Sequence, residues 1–323
     1  MLLIEFTING TLTRVSQEGI ALTHYWDAKV IEFDPIQYKI AQYYGGYVEL
    51  GYGSISFFPD LFNDDWPPPV NGLISIYYTA TTEAAKELLF IGTAHLTGVD
   101  REAVTYRLAG PVYDETVASA TAYNNDLETV LNGILTGIAE IDTLDVTYGR
   151  VAVPNVTHTT SGDKLAIDLA SDIAAFYSHL FYIVGTTAYL VDMLLNTGET
   201  TYTEFDFFPS QYDYLEPVAV ARTGAFSQFS AYPYGRDMTV TQYHDTQANA
   251  EAALVNIMSV WHKPRARFRI PLLGSIPTPG KKLSWTDTAQ GQDTDMYIMA
   301  RSIQYDFDNE EAIIDGEGAI SAG

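Results

Sequence analysis

The chain has 323 residues, of which 47% are hydrophobic and 18% charged, so it is long enough for more than one core and too apolar for general disorder. It has no cysteine, which excludes a disulfide framework, a thiolate metal site and a cysteine nucleophile. Its formal net charge of −24 excludes charge-driven binding to nucleic acid, because phosphates would be repelled.

Residues 1–116 have the pattern of strands and turns. Ile4, Phe6 and Ile8 alternate with polar residues, and Asn9-Gly10 then gives a strong hairpin signal. The start lacks the basic and apolar regions of a signal peptide, and no apolar run is long enough for a membrane span. Further strands are predicted at 47–50, 54–58, 73–80, 88–96 and 104–109, around a proline loop at 66–69. Strands at this spacing predict a barrel or a sandwich.

Residues 117–205 change to a helical period. Apolar residues from Leu127 to Ile138 recur at helical spacing, and Asn125 with Glu128 forms a predicted capping box. A second helix is predicted from Ser161 or Gly162 to Leu180. Two short strands follow at 181–184 and 188–191, joined by 185–187. This part is therefore predicted to be a small α/β domain.

Residues 206–323 return to strands, with one helix predicted at 248–261 and a clearly alternating strand at 296–307. The predicted fold class is mainly β with an α+β insertion. Two β-rich domains, 1–116 and 206–323, flank the α/β domain 117–205.

No catalytic motif emerges from the chain. Ser54 lies in Gly51–Ile55, which lacks the glycine spacing of a nucleophile elbow. The segment Gly274–Gly280 has one residue too many between its glycines for a phosphate loop. The six histidines never fall at the spacing of a zinc helix. We therefore expect a non-enzyme without a cofactor.

Two acidic runs have the oxygen ligands that calcium prefers, but neither has the EF-hand pattern. They are Asp287, Asp293 and Asp295, and Asp306, Asp308, Glu310 and Glu311. Solvated loops are the favoured interpretation, and no metal ligand is predicted.

Basic residues cluster at one place. Lys263, Arg265, Arg267 and Arg269 occupy every second position, so a strand would present all four on one face. Two interpretations stay open. The basic stripe is either a solvated face that resists edge-to-edge aggregation, or a subunit contact that meets carboxylates of a neighbouring protein.

Tyrosine is abundant, with 23 residues. Tyrosine is enriched at interfaces because its ring favours burial and its hydroxyl favours water. The same excess also suits a carbohydrate-binding cleft, so this observation does not distinguish the two functions.

The layout of the chain resembles the tail hub proteins of long-tailed phages and gene transfer agents, which are related to the baseplate hub of contractile tails. The matching features are an opening β-domain with 51–57 and 90–94, the helix at 125–140, the segment 185–192, and the C-terminal segments 279–283, 300–307 and 315–318.

The resemblance implies two tail-tube-like barrels per chain that flank the inserted domain and assemble as a trimer. It also implies a structural virion protein, made in the host cytoplasm, without catalytic residues. The implied partners are the distal tail protein, the tail tube, the tape measure and tail fibre or tip proteins. Compared with fused hubs, the chain stops after the second β-domain, so receptor-binding or wall-degrading parts would lie on another protein.

The resemblance also suggests a reason for the acidity. We hypothesise that carboxylates line a lumen through which DNA passes, and that they repel its phosphates. Neutralising them should slow or trap DNA ejection, and unchanged ejection kinetics would count against the hypothesis. The alternatives are a receptor- or carbohydrate-binding tail protein, which needs aromatics on one concave face, and a β-rich hydrolase, which needs a catalytic constellation.

Overall fold

The computed structural model describes sixteen segments of the chain, and every structural statement below concerns these segments. They are 1–17, 20–21, 24–42, 45–79, 82–146, 155–193, 199–202, 208–211, 218–229, 236–240, 246–261, 265–271, 278–279, 282–287, 292–307 and 311–319. The described part is mainly β, as predicted, with three α-helices and two short 3-10 helices.

The N-terminal part contains eleven strands. They are β1 (Leu2–Ile8), β2 (Thr11–Ser16), β3 (Ile20–Ala21), β4 (Tyr25–Ala28), β5 (Val30–Phe33), β6 (Ile36–Gln42), β7 (Gly45–Gly51), β8 (Ser54–Phe57), β9 (Asn71–Tyr78), β10 (Glu87–Val99) and β11 (Val104–Ala109). The predicted hairpin is confirmed: β1 pairs antiparallel with β2, and Asn9 and Gly10 both have positive φ, as a type I′ turn requires.

Eight of these strands form a nearly closed, barrel-like sheet in the order β4-β2-β1-β9-β10-β11-β8-β5. The two ends of this order are adjacent in sequence, because only Lys29 separates β4 from β5. The Lys29 N–H donates to Ser16 of β2 at 3.0 Å, and the Lys29 carbonyl accepts from Phe58, just after β8, at 2.9 Å. One continuous segment thus bonds to both ends of the sheet.

The interior of the barrel is filled with aromatic rings. Phe6 of β1 and Phe57 of β8 stack with centroids 5.5 Å apart, and Tyr106 of β11 lies 5.1 Å from Phe6. Phe62, from the 3-10 helix Pro59–Asp65, packs on both Phe57 and Tyr106. All four side chains are fully buried, so the described part of the barrel has a filled core.

The middle part contains two helices and seven strands. They are β12 (Thr116–Val117), β13 (Ala122–Asn125), α1 (Leu127–Leu135), β14 (Thr143–Asp145), β15 (Val156–Thr159), β16 (Lys164–Leu165), α2 (Ala166–Phe176), β17 (His179–Val184) and β18 (Thr187–Asp192). Helix α1 packs on α2, and β17 and β18 form the predicted hairpin.

The predicted start of α1 was one residue early. The N-cap is Asp126, which accepts a hydrogen bond from the Thr129 N–H at 3.0 Å, so the predicted pair of Asn125 and Glu128 is wrong. Asn125 instead accepts from the Asp126 N–H. The second helix was predicted too long at both ends, because 164–165 pair with β12 and residues from His179 onward pair with β18.

The described residues of the C-terminal part form nine strands and one helix. They are β19 (Glu199–Tyr202), β20 (Phe208–Gln211), β21 (Val218–Thr223), β22 (Phe226–Phe229), β23 (Arg236–Thr239), α3 (Gln247–Trp261), β24 (Arg265–Pro271), β25 (Lys282–Asp287), β26 (Gln292–Asp306) and β27 (Glu311–Ala319). Helix α3 matches its prediction and packs on β21 and β22. The alternation in β26 is confirmed where side chains are described, because Ile303 and Tyr305 are buried.

A second large sheet joins all three parts of the chain. Its order is β14-β18-β17-β7-β6-β26-β27-β24-β20, with β25 paired to β26 and β19 paired to β25. The hairpin β6–β7 leaves the barrel and lies in the middle of this sheet. There β7 runs parallel to β17, and β6 runs antiparallel to β26.

Tyr38 of β6 lies where these parts meet. Its ring contacts Tyr182 of β17 and Tyr305 of β26, with centroid distances of 6.1 and 6.0 Å. Its hydroxyl donates to the Leu89 carbonyl of the barrel at 3.4 Å. The side chain is buried, so one residue contacts the barrel, the middle part and the C-terminal part. The domain boundaries 1–116, 117–205 and 206–323 stay a prediction.

Candidate assembly surfaces

One end of the barrel carries most of the exposed apolar side chains. The strand register brings the ends of β1, β8 and β10 together with the starts of β2, β9, β11 and β5. Of the eleven exposed large apolar residues in the described segments, six lie within two residues of a strand terminus at this end, and a seventh, Trp66, lies in the connection between β8 and β9. We call them the apolar crown: Leu12, Ile31, Phe58, Trp66, Val70, Leu73 and Val99.

The loop at the centre of the crown is held by hydrogen bonds to the barrel. The buried Tyr106 hydroxyl donates to the Pro69 carbonyl at 2.9 Å, and the Leu96 N–H donates to the Val70 carbonyl at 2.8 Å. Beneath the loop, Phe62 fills the barrel end. The apolar side chains are therefore presented on a fixed backbone.

The outer wall of the barrel is polar by contrast. Glu5 accepts from Arg14 at 3.1 Å and from Lys86 at 3.3 Å, and the Tyr77 hydroxyl donates to it at 3.3 Å. The Lys86 ammonium also lies 4.2 Å from the centre of the Tyr77 ring. Burial opposes ionisation of Glu5, but the hydrogen bond from Arg14 and the charge of Lys86 together lower its pKa.

A cleft of about 390 Å³ lies between the barrel, β7, α2 and β17. Three tyrosines line it, Tyr47, Tyr52 and Tyr113, together with the carboxylates of Glu49 and Asp168. No lysine, arginine or histidine is among its lining residues in the described segments. The cleft is thus aromatic and acidic.

The tyrosines of the cleft are already packed against the protein. The Tyr47 ring centroid lies 5.3 Å from that of Phe181 and 6.4 Å from that of Tyr113, which it meets edge-on. The Tyr52 hydroxyl accepts a hydrogen bond from the Gly110 N–H. Burial, with Glu140 and Tyr52 nearby, raises the pKa of Tyr113 to about 12. Tyr113 therefore keeps its proton at neutral pH.

The basic stripe is described in part. Arg265, Arg267 and Arg269 lie in β24, and Lys263 lies outside the described residues. Strand β24 has β27 on one side and β20 on the other, so it is not an edge strand. The register with β20 includes Arg267 and Arg269 but not Arg265, and both interpretations of the stripe stay predictions.

The register of β24 places acidic residues of the same chain opposite two of these arginines. Arg265 lies opposite Glu317 and Arg267 lies opposite Asp315 in β27. Residues directly opposite in an antiparallel pair share one face of the sheet. Acidic residues of the same chain are thus cross-strand neighbours of two arginines. The subunit-contact role of the stripe stays a prediction.

In the described segments, Ser178, His179 and Asp192 form a Ser, His and Asp group that invites comparison with a catalytic triad. His179 Nδ1 faces the Tyr177 carbonyl at 2.8 Å, and its Nε2 lies 3.8 Å from Asp192. The Ser178 hydroxyl has no hydrogen-bond partner among the described residues. A triad needs the base to accept from the nucleophile. All three residues are fully or almost fully buried, so a substrate could not reach them.

The other candidate residues have structural roles or lie outside the described segments. The Ser54 hydroxyl donates to Asp34 at 2.6 Å, within the barrel wall. Most of the two acidic runs, 287–295 and 306–311, has no described side chain. In the described part of the chain, no three acidic or histidine side chains are close enough to hold a metal ion, and none of its helices has the length and apolarity needed to cross a membrane.

The fold is a nearly closed N-terminal barrel joined to a second large sheet, with helices at the junction. Solved structures similar to this fold include phage tail proteins and the E. coli c3393 protein, a component of the type VI secretion system. The chain is similar to the 43 kDa tail protein of prophage MuSo2 from Shewanella oneidensis, with a TM-score of 0.57, 10% identity, and coverage of 98% of this chain and 97% of that one.

Two further tail proteins are similar over the same span. Prophage tail protein gp18 from Listeria monocytogenes gives a TM-score of 0.55 at 7% identity, and covers 98% of this chain and 94% of that one. A tail protein from Neisseria meningitidis gives a TM-score of 0.54 at 9% identity, and covers 98% of this chain and 96% of that one. No protein-family model and no curated protein sequence matches the chain. The resemblance to tail hub proteins is thus confirmed at the level of fold, over nearly the full length.

Sequence reasoning missed the crown and the cleft. The crown residues come from six separate strands and loops, and only the barrel register brings them together. One signal was present: Trp66 and Val70 flank three prolines, and two large apolar residues in a loop are candidates for a contact surface.

Proposed function

We propose that the chain is a structural, non-catalytic hub subunit at the distal end of a phage tail, and hence a component of the virion. The observation that carries the proposal is the fold, which is similar to three phage tail proteins over 98% of the chain. The filled core of the described part of the barrel supports a structural role, because it leaves no internal site there for a ligand or substrate.

The finer proposal is a ring of subunits, with a trimer favoured, that joins the tail tube to the tail tip. The other proposed partners are the distal tail protein, the tape measure and tail fibre or tip proteins. In this arrangement, 206–323 forms the second tube-like barrel. DNA would pass through a lumen bounded by several copies, because the interior of the first barrel is filled.

The charge of the chain supports two parts of this proposal. The net charge of −24 is consistent with an acidic lumen that does not retain DNA. The basic stripe of Lys263, Arg265, Arg267 and Arg269 is the proposed contact with the next subunit, in competition with Asp315 and Glu317 of its own chain. Cations that meet carboxylates of a neighbouring copy would favour one register between acidic subunits.

A second candidate function is that of a receptor- or carbohydrate-binding tail protein. The cleft favours it, since Tyr47, Tyr52 and Tyr113 lie on one concave surface with Glu49 and Asp168. Sugar-binding aromatics need a free ring face. Tyr47 and Tyr52 instead pack on Phe181 and Phe90, which is why we favour the hub.

The test is the mass of the purified full chain in solution, at low and at high salt, alone and mixed with the other tail proteins. We expect a closed trimer or hexamer, or a ring that forms only on mixing. A stable monomer that ignores every tail component but binds a glycan array would support the second candidate and contradict the hub.

A further inference from the structure

The apolar crown is unusual because its side chains are large, exposed and clustered. Val70 is 69% exposed and Trp66 is 58% exposed. Scattered apolar residues are normal on a protein surface, whereas clusters of this kind mark contacts with other proteins. The outer wall of the same barrel carries the Glu5, Arg14 and Lys86 network instead. The exposed apolar side chains of the barrel are thus concentrated toward this end, with Leu12 and Leu73 on the outer face of their strands.

The crown is rigid enough to act as a preformed contact surface. Hydrogen bonds hold the carbonyls of Pro69 and Val70 to the barrel, and Phe62 supports the loop from below. Preorganised side chains lose little conformational entropy when they dock. Tryptophan is also among the residues that contribute most to binding when they enter a pocket.

The charges around the crown indicate what its partner is like. Five exposed carboxylates surround it, from Glu32, Asp60, Asp64, Asp100 and Glu102. The cations of this end in the described segments are Lys29 and Arg101, and Lys29 already pairs with Asp60 at 2.6 Å. The Asp100 carboxylate accepts two backbone N–H groups at 2.7 Å, which stabilise its ionised form. The rim is thus acidic.

We propose that the crown is the docking surface for a different tail protein, whose contacting face is apolar with a rim of lysine and arginine. Two crowns placed end to end would bring two acidic rims together, which like-charge repulsion opposes. A second copy of this chain is therefore the wrong occupant. This inference rests on the proposed function, because it assumes that the chain is built into a tail.

The experiment compares two crown variants with a matched control in the full-length protein. Trp66→Ser and Val70→Ser remove apolar side chains from the crown. Val112→Ser changes a residue that is 73% exposed but lies outside the crown. Each protein is mixed with the individually purified tail proteins of the same particle, and binding is measured by sedimentation at low and high salt.

We expect the crown variants to bind one tail protein at least about tenfold more weakly than the wild type, and Val112→Ser to bind it normally. High salt should weaken the wild-type complex, because it screens the attraction between the acidic rim of the crown and the basic rim of the partner. Unchanged melting temperatures would show that the variants are folded.

Two results would overturn this inference but leave the proposed function standing. The first is crown variants that bind the tail protein as tightly as Val112→Ser does. The second is a wild-type protein that self-associates, with the self-association lost in Trp66→Ser. A wild-type chain that joins no tail assembly would instead overturn the proposed function, and the inference with it.

Discussion

Phe57 and Phe58 are neighbours in the chain but lie on opposite sides of the barrel wall. Phe57 is fully buried among Phe6, Phe62 and Tyr106, whereas Phe58 is exposed in the crown. We expect Phe57→Ala to lower the free energy of unfolding by about 3–5 kcal/mol, because it leaves a cavity in a filled core. Phe58→Ala should change it by less than about 0.5 kcal/mol. Urea denaturation of the two variants checks this, and equal losses would contradict the barrel topology.

Glu5 gives the barrel a pH-dependent part of its stability. Its pKa lies below the ordinary value of 4.5, because Arg14 and Lys86 favour the ionised form more than burial opposes it. A carboxyl with a lowered pKa contributes stability above the unfolded-state pKa, and this contribution is lost as the pH falls through the folded-state pKa. The contribution is therefore present at pH 7 and decreases below about pH 4.5.

The measurement is the melting temperature of the wild type and of Glu5→Gln between pH 7 and pH 3. We expect the variant to be less stable at pH 7 and the difference to shrink below about pH 4.5. A difference that stays constant over this range would show that Glu5 acts by packing and not by charge.

At the scale of elements, the closest approach of the hairpin β6–β7 to the middle part depends on Gly46. Its φ is +88°, and a Cβ atom there would lie 2.5 Å from Ser171 Oγ and 2.6 Å from the Ser171 carbonyl oxygen of α2. Gly46 is also paired with Leu180 in the parallel ladder between β7 and β17. A side chain at this position would separate the hairpin from α2.

We therefore expect Gly46→Ala to destabilise the protein by about 1–3 kcal/mol from the backbone conformation alone, with the steric clash in addition. Gly133→Ala in α1 is the matched control, because a Cβ atom added there would have no atom within 4 Å and the backbone is helical. It should stabilise the protein by about 0.5–1 kcal/mol. Opposite signs in urea denaturation are the expected result, and a neutral Gly46→Ala would show that the close approach is not needed.

The elements that the sequence predicts well are those whose signals are local. The alternation of Ile4, Phe6 and Ile8 and the turn at Asn9-Gly10 specify a hairpin without reference to the rest of the chain. The ends of α2 were wrong because Lys164 to Leu165 and the residues from His179 onward find strand partners elsewhere. Buried strands are apolar on both faces, so the apolar pattern of β17 continued that of the helix.

At the scale of the whole molecule, the sequence predicts a β-rich chain with a helical middle part but not which strands pair. Strands β6 and β7 lie between barrel strands in sequence, and consecutive strands are usually neighbours. They pair with each other, but their outer partners are β26 and β17, which no local pattern indicates. The crown and the cleft were unpredictable for the same reason, because both are formed by residues that only the pairing brings together.

This pairing also has a consequence for the time at which the protein becomes complete. Gln37 pairs with Gln304, so the ribosome must add residues 38–304 before β6 receives its second neighbour. At about 5–20 residues per second, this delay is on the order of tens of seconds. Until then the free edge of β6 is a template for wrong partners. A nascent chain whose synthesis stops before β26 therefore cannot complete the central sheet.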